Sequence, residues 1–194
     1  MTIVPDVKNW TWVLERSCPE CGFDAAATPY EAVPGLAREY AGRLSAALKR
    51  DDAVTRPDDQ TWSPLEYAAH VRDVCRIFAY RTAVAARAEA VAPAVPGFDA
   101  KGLDVGETED GLPMFSNWDQ DETAIADRYG EQDPATVATE LTAAAEVVAR
   151  AIESVPAVDR DLQVRRSDGS IFTVETLAGY FVHDVIHHVH DVRG

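Results

Sequence analysis

Residues 173–191 read TVETLAGYFVHDVIHHVHD, and this stretch decides the fold. It has no proline, opens on Thr173 as a cap with Glu175 in the first turn, and runs apolar at helical spacing, so it predicts a final helix. Four of the five histidines of the chain lie in it: His183, His187, His188 and His190. His183 and His187 are four positions apart, which on a helix leaves them about 40° apart and roughly 6 Å along the axis. Two imidazoles so placed can reach one metal ion from the same face. Tyr180 and Thr176 extend that face toward the start of the helix. His188 falls on a different face and is left out of the set, while His190 continues the His183–His187 face as a reserve ligand. The fifth histidine, His70, lies in another predicted helix. The expectation is that His70 crosses a helix bundle to meet His183 and His187 in a three-histidine centre.

Working outward, the preceding residues 162–173 predict a small hairpin, Leu162–Arg166 and Ser170–Thr173 around Ser167-Asp168-Gly169. Before it, Asp133 caps and Pro134 opens a helix in which Val137, Leu141, Ala144, Ala145, Val148 and Ile152 recur on one side, ended by Pro156. A short helix is expected over Asp119–Tyr129. Helix 2 has the clearest start: Ser63 caps it, Pro64 occupies its first turn, and Glu66 can return a bond to the Ser63 amide. It is expected to run to about Val91, with Tyr67, His70, Val74, Ile77, Phe78 and Val84 inward and Arg72, Arg76 and Arg87 in solvent. Helix 1 is expected to start between Thr28 and Pro34, with Thr28-Pro29-Tyr30-Glu31 fitting a capping box and Pro34 a second candidate for the first turn, and to end near Arg50. Residues 93–117 form a long break rich in glycine and proline, long enough to cross a bundle from end to end. Met114, Phe115 and Trp118 are expected to fasten its end to the core. The expected fold is an all-α four-helix bundle of one domain spanning 1–194, with 1–27 as an N-terminal arm.

That arm carries Cys18-Pro19-Glu20-Cys21-Gly22, which resembles one knuckle of a zinc ribbon. A closed site needs four ligands and no second Cys-x-x-Cys exists. The pair therefore reads as free thiols in a turn, as half of a site shared across a dimer, or as a redox pair.

The formal charge of −15 over 194 residues opposes binding to phosphate backbones or anionic membranes, so neither nucleic acid nor membrane is an expected partner. With 46% hydrophobic and 26% charged residues the composition is that of a soluble globular chain. No apolar run reaches the ~20 residues of a spanning helix. No leader is evident at the start, and the cysteine count of 3 does not suggest a disulfide framework, so the expected location is the cytoplasm. Nucleophile elbows, phosphate-cradling glycine loops and dinucleotide fingerprints are absent from the sequence. A histidine-rich helix end also suits a solvated terminus facing the negative end of the helix dipole, and a lone histidine such as His70 also suits a satisfied core position. Arg165 and Arg166 suit either a substrate carboxylate or an exposed turn.

The stretch Trp62-Ser63-Pro64-Leu65-Glu66-Tyr67-Ala68-Ala69-His70-Val71-Arg72-Asp73, together with Phe172-Thr173-Val174 and His183-Asp184-x-x-His187-His188, resembles the DinB-like (DinB/YfiT-like) family. Trp12-Val13-Leu14-Glu15-Arg16 followed by Cys18-Pro19-Glu20-Cys21-Gly22-Phe23-Asp24 resembles its actinobacterial members. The resemblance implies up-down-down-up connectivity, with a long crossover after helix 2. It also implies a divalent metal, zinc or nickel before iron or manganese, held by three histidines that map onto His70, His183 and His187. Relatives include mycothiol-dependent maleylpyruvate isomerase and bacillithiol transferases. The resemblance thus implies a small-molecule substrate, mycothiol as a cosubstrate, thiol transfer or isomerisation as the reaction, and a homodimer as the assembly. The alternatives are a non-catalytic metal or small-molecule binding module linked to stress, and a structural helical protein without metal.

Overall fold

The computed structural model describes residues 10–100 and 110–194. The first nine residues of the expected arm, and Gly102 and Gly106 of the long break, lie outside the described residues.

Four long helices form the bundle: α1 (Val33–Ala47), α2 (Pro64–Ala85), α4 (Pro134–Glu153) and α5 (Val174–Asp191), with the short α3 (Gln120–Ala126) between α2 and α4. Both α1 and α2 pack against α4 and against α5, and touch each other less, so they face one another across the bundle. This puts α2 beside α5, the relationship the site depends on. The core is filled by Leu44, Leu65, Ile77, Leu141, Ile152, Leu177 and Phe181, all essentially without exposed surface.

Local chemistry fixes the ends of these helices. At α2, Ser63 Oγ accepts from the Glu66 amide at 3.3 Å and the Ser63 amide donates to Glu66 Oε2 at 2.9 Å, a reciprocal capping box with Pro64 in the first turn. Thr173 and Thr176 make the same exchange at the start of α5, and Asp133 Oδ1 accepts from the Thr136 amide at the start of α4. Helix α1 begins at Val33, after a 3-10 turn over Tyr30–Ala32, so the expected capping box at Thr28 does not form and Pro34 is the first-turn proline.

The short helix expected over Asp119–Tyr129 ends at Ala126, with Arg128 at φ 47°, and two expectations for α2 also need correction. Helix α2 stops at Ala85 rather than near Val91. Arg87 takes φ 60°, the left-handed region, where the Ala88 amide turns back to the Ala83 carbonyl at 2.9 Å. Arg87 Nη2 is spent on the Gln163 carbonyl of the hairpin, which holds the reversal in place. Arg72, expected in solvent, is buried. Asp127 and Gln132, on either side of a 3-10 turn over Tyr129–Glu131, close over it and supply acceptors at 2.7 and 2.8 Å. Helical periodicity sees the stripe Arg72 occupies, and cannot see a loop folding down on it.

The hairpin is present as β2 (Gln163–Arg166) and β3 (Ile171–Thr173), turning at Gly169 with φ 94°. A strand not anticipated, β1 (Met114–Phe115), pairs with β2 in parallel, Met114 against Arg165 and Phe115 against Arg166. It forms because the chain leaving the long break carries Phe115 into the core and meets the open edge of β2. The crossover is thereby sewn to the residues that lead into α5. Among the described residues, no helix is long and apolar enough to cross a membrane.

Candidate metal centre and a second donor cluster

The structure divides the histidines expected to act together. His70, on α2, meets Asp184 and His188 of α5, with one ligand atom from each within 4.8 Å of the others. His183 and His187 instead gather with Cys18 and Cys21 of the arm, again within 4.8 Å. His70, His183 and His187 do not form one such group among the described residues. The reason is angular. Successive helical residues are rotated by about 100°, so His183–His187 and Asp184–His188 are two separate four-residue stripes of the same helix. The stripe that faces α2 is the one carrying the carboxylate. His190 is exposed and joins neither cluster.

At the first cluster His70 is fully buried, and neither Nδ1 nor Nε2 has a hydrogen-bond partner among the described residues. An unsatisfied buried polar atom costs about 1–3 kcal/mol, so two on one ring need a reason. The Nε2 atom lies 3.8 Å from Asp184 Oδ2, too long for a hydrogen bond. Two donors each about 2.1 Å from a common ion, however, sit roughly 3–4 Å apart. His188 Nε2 lies 3.3 Å from Asp184 Oδ1, so both imidazoles aim at one carboxylate. On its far side His188 Nδ1 is 2.9 Å from Asp191 Oδ2. That carboxylate can hold the Nδ1 proton and leave the Nε2 lone pair directed at the centre, the arrangement in which metal-liganding histidines are usually found.

The charges follow from these contacts. Burial drives His70 toward the neutral imidazole, outweighing the pull of Asp184. Burial opposes charge on Asp184 and His188 too, yet each stabilises the other's ionised form. Asp184 is held well below the ordinary carboxylate range, and His188 is pushed up to about 9 by Asp184 and Asp191. An incoming cation would thus replace the His188 proton beside an existing carboxylate.

Aromatic rings wall the cluster. Trp118 stacks on His70 with centroids 5.3 Å apart and planes inclined by 5°, and Trp62 meets the same ring edge-on at 5.6 Å. Tyr67 lies 4.9 Å from the His188 ring. The expected anchoring of the crossover is found, with Phe115 buried and Trp118 against His70.

The neighbouring carboxylates and arginines have separate duties. Asp73 accepts from Arg72, Arg76 and Tyr129, and Glu66 from Arg56 and Ser63. Neither carboxylate orients His70. Arg165 pairs with Asp110, and Arg166 is buried against Asp168 and the Phe172 and Tyr180 rings.

Sequence alone offers Asp184, with Asp73 and Glu66, as an acceptor behind a liganding histidine and not as a ligand, and the histidine count leaves His188 out. The spacing Asp184-x-x-x-His188 is itself a helical ligand pair, and Tyr180 belongs to that stripe, four residues before Asp184. The unmatched Cys18–Cys21 pair was the other available signal, since it lacked two ligands and His183–His187 offers two.

Fold and donors together describe a four-helix bundle with two imidazoles and a carboxylate meeting between its second and last long helices. The chain belongs to the DinB superfamily, whose sequence profile matches residues 36–192. Among solved structures it is similar to YfiT from Bacillus subtilis, described as a probable metal-dependent hydrolase with an unusual four-helix bundle topology. The likeness has a TM-score of 0.63 at 15% identity and covers 84% of each chain. Comparison with curated proteins finds none that match.

Proposed function

We propose that this chain is a metal-dependent enzyme acting on a small molecule, with His70, Asp184 and His188 as the protein ligands of a divalent ion. The observation that carries this is the His70 ring, buried beside a carboxylate and a second imidazole with neither nitrogen partnered among the described residues. Two nitrogens and one oxygen suit zinc, nickel, iron or manganese, and three protein ligands leave positions open. When bound, such an ion supplies Lewis-acid polarisation of the group occupying those positions.

The residues around the centre have definite tasks. His70 offers a neutral donor from α2, and Asp184 offsets part of the ion's charge. Asp191 fixes the His188 tautomer. Trp118 and Trp62 shut bulk water from the His70 side, which strengthens electrostatic interactions inside. Further along α2, Arg81 is buried between the Phe78 and Phe115 rings and donates to the Ser116 carbonyl at 2.9 Å, while its Nε has no partner among the described residues. A buried guanidinium beside the crossover favours a substrate carrying a carboxylate or another compact anion.

Hydrolysis is the reaction this reading places first, because the centre is polar, has open positions and belongs to a fold shared with a probable metal-dependent hydrolase. Untagged protein should contain a metal equivalent that His70→Ala and His188→Ala remove. Metal-replete protein is then offered amides and esters of small carboxylates, and in a second arm mycothiol with electrophilic acceptors. Turnover in the first arm supports hydrolysis, and turnover in the second assigns thiol transfer instead. Full occupancy with no turnover in either arm would turn the reading toward a binding protein.

A further inference from the structure

We propose that Cys18, Cys21, His183 and His187 form a second metal site, a closed tetrahedral zinc centre that staples the N-terminal arm to α5. The proposal is independent of the chemistry assigned to His70, Asp184 and His188, and uses none of those residues.

The ligand atoms converge from two places far apart in sequence. Each of the four residues offers one atom within 4.8 Å of the other three. Cys18 Sγ stands 3.6 Å from His187 Nδ1. Around one zinc, with Zn–S about 2.3 Å and Zn–N about 2.0 Å, a tetrahedral angle sets sulfur and nitrogen roughly 3.5 Å apart. Both cysteines are free rather than bridged. The turn that presents them is held by its own backbone. The Gly22 amide donates to the Cys18 carbonyl at 2.9 Å, and the Cys18 amide to the Phe23 carbonyl at 2.8 Å. Gly22 takes φ 76°, which L side chains rarely adopt.

The histidines supply an observation that does not depend on the cysteines. His183 is 4% exposed, and its Nε2 has no hydrogen-bond partner among the described residues. His187 is oriented from outside the cluster, its Nε2 lying 3.4 Å from Glu20 Oε2. Glu20 sits between the two cysteines in sequence, so one turn supplies two sulfur ligands and the carboxylate that orients a third ligand. Burial keeps both imidazoles neutral, with His183 pushed down to about 4, and raises the Cys21 thiol to about 11. Zinc binding would release the two thiol protons and leave two thiolates and two neutral imidazoles on the ion. The Trp10 ring, 5.0 Å from His187, and the Phe23 ring, 5.6 Å from His183, cover the cluster.

Two thiolates and two imidazoles are a zinc set, and four protein ligands close the shell, which is the pattern of structural rather than catalytic zinc. The site would anchor the arm against α5, where the 3-10 turn Trp10–Leu14 already packs.

The test uses untagged full-length protein, reduced and stripped, then titrated with cobalt and separately analysed for zinc. The expected result is a thiolate-to-cobalt charge-transfer band with tetrahedral ligand-field bands, together with a zinc equivalent. Both are lost in Cys18→Ser/Cys21→Ser, while the band persists in His70→Ala. If the double variant does not fold, the cobalt spectrum of the wild type and of His183→Gln decides the matter. A wild-type spectrum without the thiolate band overturns the proposal. So does a reduced wild type that binds no more zinc than the cysteine variant, or a Cys18–Cys21 disulfide that forms in excess zinc under thiol buffer. Absence of the thiolate band from the wild type, with metal retained at His70, would sink this site alone, and the reverse would sink only the enzymatic centre.

Discussion

His187 and His188 are consecutive residues whose rings stand 6.1 Å apart at 79° and serve different clusters. His187 Nδ1 faces the Cys18 sulfur at 3.6 Å, and His188 Nε2 faces Asp184 Oδ1 at 3.3 Å. One step along α5 separates a sulfur-containing donor set from an oxygen-containing one. Asp191 lies between them, 2.9 Å from His188 Nδ1 and 3.8 Å from His187 Nε2.

Replacing these neighbours should therefore give opposite phenotypes. His188→Ala should abolish metal binding at the centre with His70 and leave the cobalt–thiolate band unchanged. His187→Ala should weaken or remove that band and leave the His70 centre occupied. Metal analysis and cobalt spectra on the two variants, side by side, read both outcomes. Identical losses in both variants would mean the four α5 residues act as one site.

Asp191→Asn keeps the size of the side chain and removes the charge that holds the His188 Nδ1 proton. Carboxylates behind a liganding histidine typically contribute about 10–100-fold in metal affinity. The variant should lose that much affinity at the His70 centre, read by competition with a chelator, with near-normal helicity by circular dichroism. An unchanged affinity would place His188 outside the coordination sphere.

The sequence was informative wherever a local rule had no competitor. The capping box at Ser63, the Thr173 cap, the Pro134 start and the hairpin around Gly169 all follow from interactions within a few residues, and they recur in the structure. The distribution of histidines was less legible, because helical spacing gives the angle between side chains and not which angle faces the neighbouring helix. Two overlapping four-residue stripes start at His183 and Asp184, and only the packing of α2 against α5 chooses between them. Counting imidazoles favoured the first, although a carboxylate is an equally good donor. The burial of Arg72 and the pairing of β1 with β2 were hidden for a related reason: each depends on a segment distant in sequence.

The Arg72–Asp73 network gives a stability prediction. Asp73 has no exposed surface and accepts from Arg72, Arg76 and the Tyr129 hydroxyl, at 2.8 Å in the shortest contact to each. Asp73→Ala leaves Arg72 in the interior with part of its charge uncompensated, a class of change that costs about 3–5 kcal/mol. Glu131→Ala, at the exposed pair with Arg128, should cost less than about 1 kcal/mol. Chemical denaturation of the two variants measures the contrast. Similar midpoints would mean that water or a rearranged Arg72 satisfies the network without Asp73.

A pH dependence follows from Glu66, which closes the α2 cap and pairs with Arg56. Burial would raise its carboxyl pKa, but the bonds from Arg56 and Ser63 outweigh this and hold it below the ordinary value. A group whose pKa is depressed on folding contributes stability above its unfolded pKa and loses it as the pH falls through the folded one. Glu66→Gln should therefore be less stable than the wild type at neutral pH, by roughly 1.5–3 kcal/mol for hydrogen bonds to a charged group. The difference should shrink steadily as the pH falls through about 4.5, where the carboxyl is half protonated in the unfolded chain, and on through the lower value of the folded one. Urea midpoints for both proteins from pH 7 to about pH 3 test the sign. A gap that stayed constant or widened in acid would show that the Arg56–Glu66 charge pair does not stabilise the start of α2, and that the cap works through its neutral hydrogen bonds alone.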